Sequence, residues 1–157
     1  MSFMWLVLFF CFLQLCAGAQ DLKTQFLSPH NDARSQVGIA PLVWDDTVAA
    51  YAQNYGKQCK ADCALQHSSG SYGENIFWGK GKELSPVDAV NAWVEEKQYY
   101  SYNSNSCAQG QQCGHYTQVM WKNSQKVGCA RVKCNDGAIF ITCDYDPPGN
   151  YVGEKTY

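Results

Sequence analysis

Histidines and a pair of adjacent glutamates are the residues whose types suit acid–base or metal chemistry. The 157 residues contain three histidines, His30, His67 and His115. An imidazole titrates near neutral pH and binds divalent metals. Glu95 and Glu96 lie in a segment with the pattern of a helix. These side chains can act together only if the fold brings their separate segments to one place.

Helix geometry separates the two glutamates. Glu96 follows Trp93 by three residues and precedes Tyr100 by four, so the three share one helical face. Because Trp93 belongs in the core, Glu96 is predicted to point inward, whereas Glu95 is predicted to be solvated. An inward carboxylate needs a partner, for which a histidine is the natural candidate. His30 lies on a different predicted helix and is expected to be a structural or surface histidine.

Helix caps, turns and apolar periodicity predict the elements that must carry these side chains. Ser28 and Pro29 signal the start of a first helix, and Asp45 or Asp46 caps a second. Ser85 caps a third helix, with a proline at its first position. The predicted helices cover 29–37, 47–57 and 87–99, and the predicted strands cover 73–78, 116–121, 127–134 and 138–144. Helices mixed with a largely antiparallel sheet predict an α+β sandwich in one domain.

The beginning of the chain indicates secretion. Residues 4–15 are almost unbroken apolar sequence, and Ala17-Gly18-Ala19 places small residues where a signal peptidase cuts. The sequence therefore predicts a signal peptide at 1–19 and an extracellular mature domain at 20–157, with no transmembrane segment. A net charge of −2 gives no electrostatic case for a nucleic-acid partner. We expect a monomer.

Seven of the nine cysteines lie beyond the predicted signal peptide, and secretion makes disulfides the default expectation. Apolar-rich runs on either side of Asn135-Asp136-Gly137 predict a hairpin. A hairpin centred on Asp136 places Cys129 opposite Cys143, at the separation that a disulfide needs.

The other cysteines pair less clearly. Cys107 and Cys113 flank a short polar loop and can close it. Pairing Cys63 with Cys134 would close the longest loop of the three disulfides and leave Cys59 as a free thiol. Cys59 and Cys63 are alternatives that spacing alone does not separate, and a zinc site at their spacing is the competing interpretation.

Several long motifs follow one another along the chain, at 30–34, 41–45, His67 with 73–76, 93–97, 114–121 and 143–145. In this order they resemble the motifs of the CAP superfamily and its plant pathogenesis-related branch of the first class. The similarity covers residues 20–157, and it implies an apoplastic or vacuolar location for the secreted domain. The tail at 146–151 matches the plant branch, whereas Asp144 and Thr156 stand where that branch usually has Asn and Pro.

The resemblance implies an α–β–α sandwich with a central cleft. It also implies a tetrad, His67, Glu74, Glu96 and His115, which binds divalent cations such as zinc through the histidines. Two imidazoles and a carboxylate are a plausible zinc set. The alternatives are a purely structural hydrogen-bond network and a hydrolytic centre.

The resemblance also implies a sterol-binding loop at 98–107, with Tyr99, Tyr100, Tyr102 and Asn103 as its candidate lipid-binding residues. Aromatic rings offer flat apolar surface to a sterol. The alternative is that Tyr99 and Tyr100 only complete the core face of the third helix. The expected function is a non-enzymatic antimicrobial defence protein, active against fungi or oomycetes, whose partner is a sterol or another lipid.

The tail carries a second implied function. In plant relatives the last eleven residues can be released as a signalling peptide for a cell-surface receptor, which here would be 147–157. The alternative is an ordinary tail packed on the sheet.

Overall fold

The computed structural model describes residues 21–157, so the predicted signal peptide at 1–19 lies outside the described residues. The helices are α1 (Leu22–Ser35), α2 (Asp46–Cys59), α3 (Pro86–Glu95) and α4 (Gly114–Val119), with a 3₁₀ turn at Glu96–Tyr99. The strands are β1 (Val43–Trp44), β2 (Gly73–Gly79), β3 (Tyr100–Ser101), β4 (Ser106–Cys107), β5 (Lys126–Lys133) and β6 (Ile139–Asp146).

Four strands form the central sheet in the order β1-β5-β6-β2. Only β1 runs parallel to its neighbour, and the other pairs are antiparallel. Strands β3 and β4 form a separate hairpin. The largely antiparallel sheet is therefore confirmed.

Helices cover both faces of the sheet. Along β6, Cys143 and Tyr145 join the larger core, which includes Trp93 of α3. The alternate residue Phe140 faces the other way and packs edge-on against Tyr55 of α2. Successive side chains of a strand point to opposite faces, so the sheet lies between α2 on one side and α1 with α3 on the other. The predicted α–β–α sandwich is confirmed.

The hairpin arithmetic is correct. Cys129 and Cys143 are directly paired across β5 and β6, with Cα atoms 4.1 Å apart. Gly137 has φ +86°, a conformation that favours glycine, at the turn between them. All three predicted disulfides are present, Cys63–Cys134, Cys107–Cys113 and Cys129–Cys143, and Cys59 is a buried free thiol.

The prediction for the first helix was wrong at its start. Helix α1 begins at Leu22, and Asp21 caps it by accepting a hydrogen bond from the Thr24 backbone N–H at 2.8 Å. Pro29 lies inside the helix, where it removes one backbone donor. The stabilisation gained by burying one face of the helix outweighs the lost hydrogen bond. The buried residues are Phe26, His30, Ala33 and Arg34.

The predicted strand at 116–121 was also wrong, because Gly114–Val119 is helical. The third predicted helix is α-helical only as far as Glu95 and tightens into a 3₁₀ turn at Glu96–Tyr99. Its start is as predicted, since Ser85 and Asp88 form a reciprocal capping box.

A buried arginine fixes the C-terminal end of α4. Arg34 is fully buried, and its Nη1 donates to the carbonyls of Val119 and Trp121 at 2.9 and 3.0 Å. Its Nε and Nη2 donate to the carbonyls of Ala40 and Ser124. Burial lowers the pKa of the guanidinium to about 10, which still leaves it charged at neutral pH.

Helix α2 packs against β5 at a glycine. A Cβ atom at Gly128 would lie 2.0 Å from the backbone nitrogen of Ala49, so α2 can approach the sheet only where the strand lacks a side chain. We predict that Gly128→Ala lowers the free energy of unfolding by about 2–3 kcal/mol, measured by urea denaturation with the disulfides intact.

Gly114→Ala is the matched control, because a Cβ there meets no atom within 4 Å. That variant is expected to leave stability unchanged or raise it by up to about 1 kcal/mol. Equal losses in the two variants would contradict the close-approach explanation.

Candidate functional site

Glu96 begins the site by capping α4 from another part of the chain. One carboxylate oxygen, Oε2, accepts the backbone N–H groups of His115 and Tyr116 at 3.0 and 3.1 Å. Cys113, at the N-cap position of α4, provides no side-chain hydrogen bond. The carboxylate therefore supplies the acceptor that the first turn of the helix lacks.

The same carboxylate orients an imidazole. His115 Nδ1 donates to Glu96 Oε1 at 2.6 Å, and the ring stacks on Trp93 with centroids 6.2 Å apart and an interplanar angle of 19°. Burial by itself raises the pKa of Glu96, but the hydrogen bonds from His115 and Tyr116 outweigh it and leave the pKa below its ordinary value. Glu96 faces inward and Glu95 is exposed, as helix geometry predicted.

His67 and Glu74 form a second pair of the same kind. His67 Nδ1 donates to Glu74 Oε1 at 2.7 Å, and the backbone N–H of Ser68 donates to the same oxygen at 2.9 Å. The Glu74 side chain is 5% exposed, whereas that of His67 is 59% exposed. The buried carboxylate thus fixes an imidazole that remains accessible to solvent.

The two histidines share a cavity of about 300 Å³. Glu96 lies behind His115 and does not line it. The residues that line the cavity are His67, Glu74, Asn75, Gln112, Gly114, His115 and Asn150. The structure therefore brings the predicted tetrad together as two separate histidine–carboxylate pairs, one on each wall.

His30 lies outside this cavity and has a structural role. It is fully buried; its Nδ1 donates to the Phe26 carbonyl, and its Nε2 accepts the Tyr145 hydroxyl at 2.7 Å. That hydroxyl also accepts a hydrogen bond from Asn75, which in turn donates to the His115 carbonyl. Burial lowers the pKa of His30 to about 4, so the ring is neutral.

The geometry of the pairs decides which atoms could bind a metal. Each Nδ1 is engaged by a carboxylate, so Nε2 is the ring nitrogen available for a ligand. A metal-binding histidine typically donates its other ring N–H to a carboxylate in this manner. Within residues 21–157 no three His, Cys, Asp or Glu side chains converge as a ready set of metal ligands. The residues present thus fit a cation held by two imidazoles and completed by solvent or another ligand.

Sequence reasoning did not place Asp144 in the site. The one signal was that an aspartate stands where the plant branch usually has asparagine. Asp144 pairs with Glu74 across β2 and β6 and contacts its carboxyl group. Both Asp144 oxygens and Glu74 Oε2 are buried and receive no hydrogen bond from another described group. Burial, followed by the charge of Glu74, raises the pKa of Asp144 to about 8. One shared proton between the two carboxyls satisfies this arrangement at neutral pH.

The four candidate lipid-binding residues occupy different environments. Tyr100 is half-buried and donates a hydrogen bond to Asn105, whereas Tyr99 and Asn103 are exposed. Tyr102 is half-buried and stacks on Tyr157, with centroids 4.5 Å apart.

A cavity of about 350 Å³ lies between the β3–β4 hairpin and the tail, and of the four candidates only Tyr100 lines it. Trp121, Tyr151 and the Cys107–Cys113 disulfide add apolar wall. Trp121 Nε1 and Thr156 Oγ1 are buried donors that have no hydrogen-bond partner among the described residues. Trp121 and Thr156 were missed from sequence because their roles depend on the path of the tail.

The tail packs on α4 and the hairpin rather than on the sheet. The Gly149 N–H donates to Gln118 Oε1 at 3.0 Å, and Asn150 Nδ2 donates to the Gly114 carbonyl at 2.8 Å. Farther along, Asn105 Nδ2 of the hairpin donates to the Glu154 carbonyl at 3.0 Å. Residues 151–155 are exposed between these contacts and a buried Thr156.

The Asp144–Glu74 pair generates a pH prediction. The folded protein keeps a proton on Asp144 up to a pKa of about 8, whereas the unfolded chain releases it near 3.8. The contribution of Asp144 to the free energy of unfolding must therefore fall as pH rises between these values. Asp144→Asn supplies an amide donor to Glu74, so we expect a gain on the order of 2 kcal/mol at pH 8.

The check is denaturant unfolding of both proteins from pH 5 to pH 8. His30 acts in the opposite sense, since its lowered pKa reduces stability as pH falls below 6.5. That contribution is equal in the two proteins, so the difference between them isolates Asp144. A difference that does not change with pH would contradict the shared proton.

Comparison with known proteins agrees with this geometry. The family model described as "CAP: Cysteine-rich secretory protein family" matches residues 27–145. The chain is 56% identical over 151 residues to Pathogenesis-related protein 1C of Nicotiana tabacum, which covers 96% of this chain and 90% of the relative. It is 58% identical over 140 residues to Pathogenesis-related protein PR-1 of Medicago truncatula, covering 88% and 81%.

A solved structure shares the fold as well. The crystal structure of NaASP2 with Zn²⁺ superposes with a TM-score of 0.72 at 25% identity, covering 88% of this chain and 86% of that one. Among residues 21–157 no helix is both long and apolar enough to cross a membrane. Sequence, fold and site together establish that the chain belongs to the CAP family of cysteine-rich secretory proteins, with plant pathogenesis-related proteins among its relatives.

Proposed function

We propose that the protein is a secreted, non-enzymatic plant defence protein that binds a sterol or similar lipid, with an antimicrobial effect on fungi or oomycetes. The names of its relatives support the defence role. The predicted signal peptide and the three disulfides support secretion, since disulfides persist in oxidising compartments. The cavity between the hairpin and the tail is the observation that carries lipid binding.

The chemistry of that cavity suits a sterol. A sterol is a rigid apolar body with one hydroxyl group, so its site needs apolar walls and few polar groups. Tyr100, Trp121 and Tyr151 supply ring surface to the cavity. The volume of about 350 Å³ lies within the range of small-molecule sites.

The tail forms one wall of the cavity, which bears on the alternative function. Release of 147–157 as a signalling peptide would remove Asn150, Tyr151 and Thr156 from the lining. The exposed stretch at 151–155 is accessible to a protease, but cleavage before Pro147 would have to detach the anchored Gly149 and Asn150. These contacts favour the tail as part of the binding site over the tail as a free peptide precursor.

We also propose that the cavity between the histidines holds a divalent cation such as zinc, through Nε2 of His67 and His115. Glu74 and Glu96 would orient the rings rather than bind the metal, because each accepts a hydrogen bond from Nδ1. A bound zinc ion would polarise a water or ligand atom in this cavity. The relative NaASP2 supports the proposal through its description with Zn²⁺. Because both carboxylates are engaged, neither is presented as a general base, which supports a non-enzymatic role.

Sterol binding is tested by substitutions on either side of the hairpin. Tyr151→Ala, in an exposed residue that lines the cavity, is expected to weaken radiolabelled sterol binding by about fivefold or more. Tyr99→Ala is the matched control, because Tyr99 is another exposed tyrosine, lies in the implied sterol-binding loop and does not line the cavity. A loss confined to Tyr99→Ala, or unchanged binding in both variants, would refute the cavity assignment.

Zinc binding is tested by calorimetry on the whole protein. His67→Ala and His115→Ala are each expected to weaken zinc binding at least about tenfold, since each removes one of two ligands. Glu95→Ala, which removes an exposed carboxylate beside the tetrad, is expected to bind zinc as the parent protein does. One-to-one binding retained after both histidines are replaced would exclude this site.

A further inference from the structure

A groove with a volume of about 480 Å³, separate from the two cavities described above, lies along α2 and is lined in part by His67. The second helix turns two different faces to its surroundings. One face is buried against the sheet and contains Val48, Ala52, Gly56 and Cys59. The face that lines the groove contains Tyr51, Asn54, Tyr55 and Gln58, at the spacing of one helical stripe.

The opposite wall of the groove is the loop at 66–70, which is fixed to α2. The Tyr51 hydroxyl donates to Ser68 Oγ at 2.9 Å, and the Tyr55 hydroxyl donates to the Gln66 carbonyl. A Cβ atom at Gly70 would lie 2.0 Å from the Tyr51 hydroxyl oxygen, so the loop approaches the ring closely. The groove is therefore pre-formed, which reduces the ordering cost of binding.

The lining is polar and contains one titratable imidazole, that of His67. None of the nine described lining residues is Lys, Arg, Asp or Glu. Asn54, Gln58 and Gln66 are exposed, and their carboxamides have no hydrogen-bond partner within residues 21–157. Each carboxamide offers two donors and an acceptor, and the hydroxyl of Ser69 adds to them. The groove thus presents many neutral hydrogen-bonding groups around two tyrosine rings.

This combination selects one class of ligand. A charged ligand would lose hydration without meeting an opposite charge, which is costly. A purely apolar ligand would strip water from the carboxamides without giving them partners. A neutral sugar has hydroxyl groups around its edge for the carboxamides and a C–H face for an aromatic ring. We propose that this groove binds a neutral, pyranose-based oligosaccharide.

The position of His67 extends the site beyond one sugar. His67 lines the groove and also the 300 Å³ cavity that it shares with His115. Beyond it, that cavity is lined by the amides of Gln112 and Asn150 together with Glu74 and His115. A chain of sugars can therefore run from the α2 stripe past His67, and longer oligosaccharides should bind more tightly than single sugars.

The experiment uses isotope-labelled protein titrated with neutral hexasaccharides of β-1,3-linked glucose, β-1,4-linked glucose and β-1,4-linked N-acetylglucosamine. At least one is expected to give saturable amide shifts that map to 51–58 and 66–70. Asn54→Ala combined with Gln58→Ala is expected to weaken that binding at least about tenfold, through the loss of two or more hydrogen bonds.

Asn91→Ala combined with Gln125→Ala is the matched control, since it removes two exposed amides that lie elsewhere. It is expected to keep the affinity within about twofold of the parent. Three outcomes would overturn the proposal: no saturable binding of any of the three, equal affinity in the Asn54/Gln58 variant, or tighter binding of an anionic galacturonate hexasaccharide. Sterol and zinc binding do not enter this test, so their failure leaves it standing.

Discussion

Helix α4 is held by opposite charges at its two ends, and the candidate sites depend on that arrangement. The Glu96 carboxylate accepts two N–H groups of the first turn, and the Arg34 guanidinium donates to the carbonyls of Val119 and Trp121 at the other end. An anion at the N-terminus and a cation at the C-terminus both interact favourably with the helix dipole. A helix of six residues is too short to be stable alone, so these contacts replace the stability that length would give.

The position of α4 fixes both cavities that it borders. His115 follows the first residue of the helix, and Glu96 holds its ring with Nε2 free for a ligand. Gly114 lines the cavity between the histidines and also the cavity beneath the hairpin. The tail is anchored to the same turn through the Asn150 amide and the Gly114 carbonyl. The capping of α4 by Glu96 therefore positions the proposed metal ligand His115, one wall of the proposed lipid site and the residue to which the tail is anchored.

Local signals in the sequence were enough to predict the features that depend on neighbouring residues. The register of β5 and β6 follows from a turn and a count, so Cys129 and Cys143 could be paired in advance. The inward direction of Glu96 follows from its spacing to Trp93, and it survives the change from α-helix to 3₁₀ turn. The start of α3 follows from its own capping residues.

The features that sequence reasoning missed depend on distant residues. Apolar residues at 116–121 suit a strand, whereas the segment is helical and is held at its ends by the distant Glu96 carboxylate and Arg34 guanidinium. Likewise, the histidines and glutamates could be grouped from motifs, but their division into two pairs, with Asp144 facing Glu74, requires the register of β2 against β6. Motifs identify which residues meet, and the hydrogen bonds decide which atoms remain free.

The shared wall between the two cavities has a thermodynamic consequence. Asn150 accepts a hydrogen bond from Thr117, donates to Gly114 and lines both cavities. A lipid that displaces the tail must move Asn150 away from α4, which changes the surroundings of His115 Nε2. Any such effect of lipid on cation affinity must be matched by an equal effect of cation on lipid affinity, because coupling free energies are reciprocal. The two cavities therefore share one element of the fold, the first turn of α4, through Gly114 and the Asn150 side chain that is bonded to it.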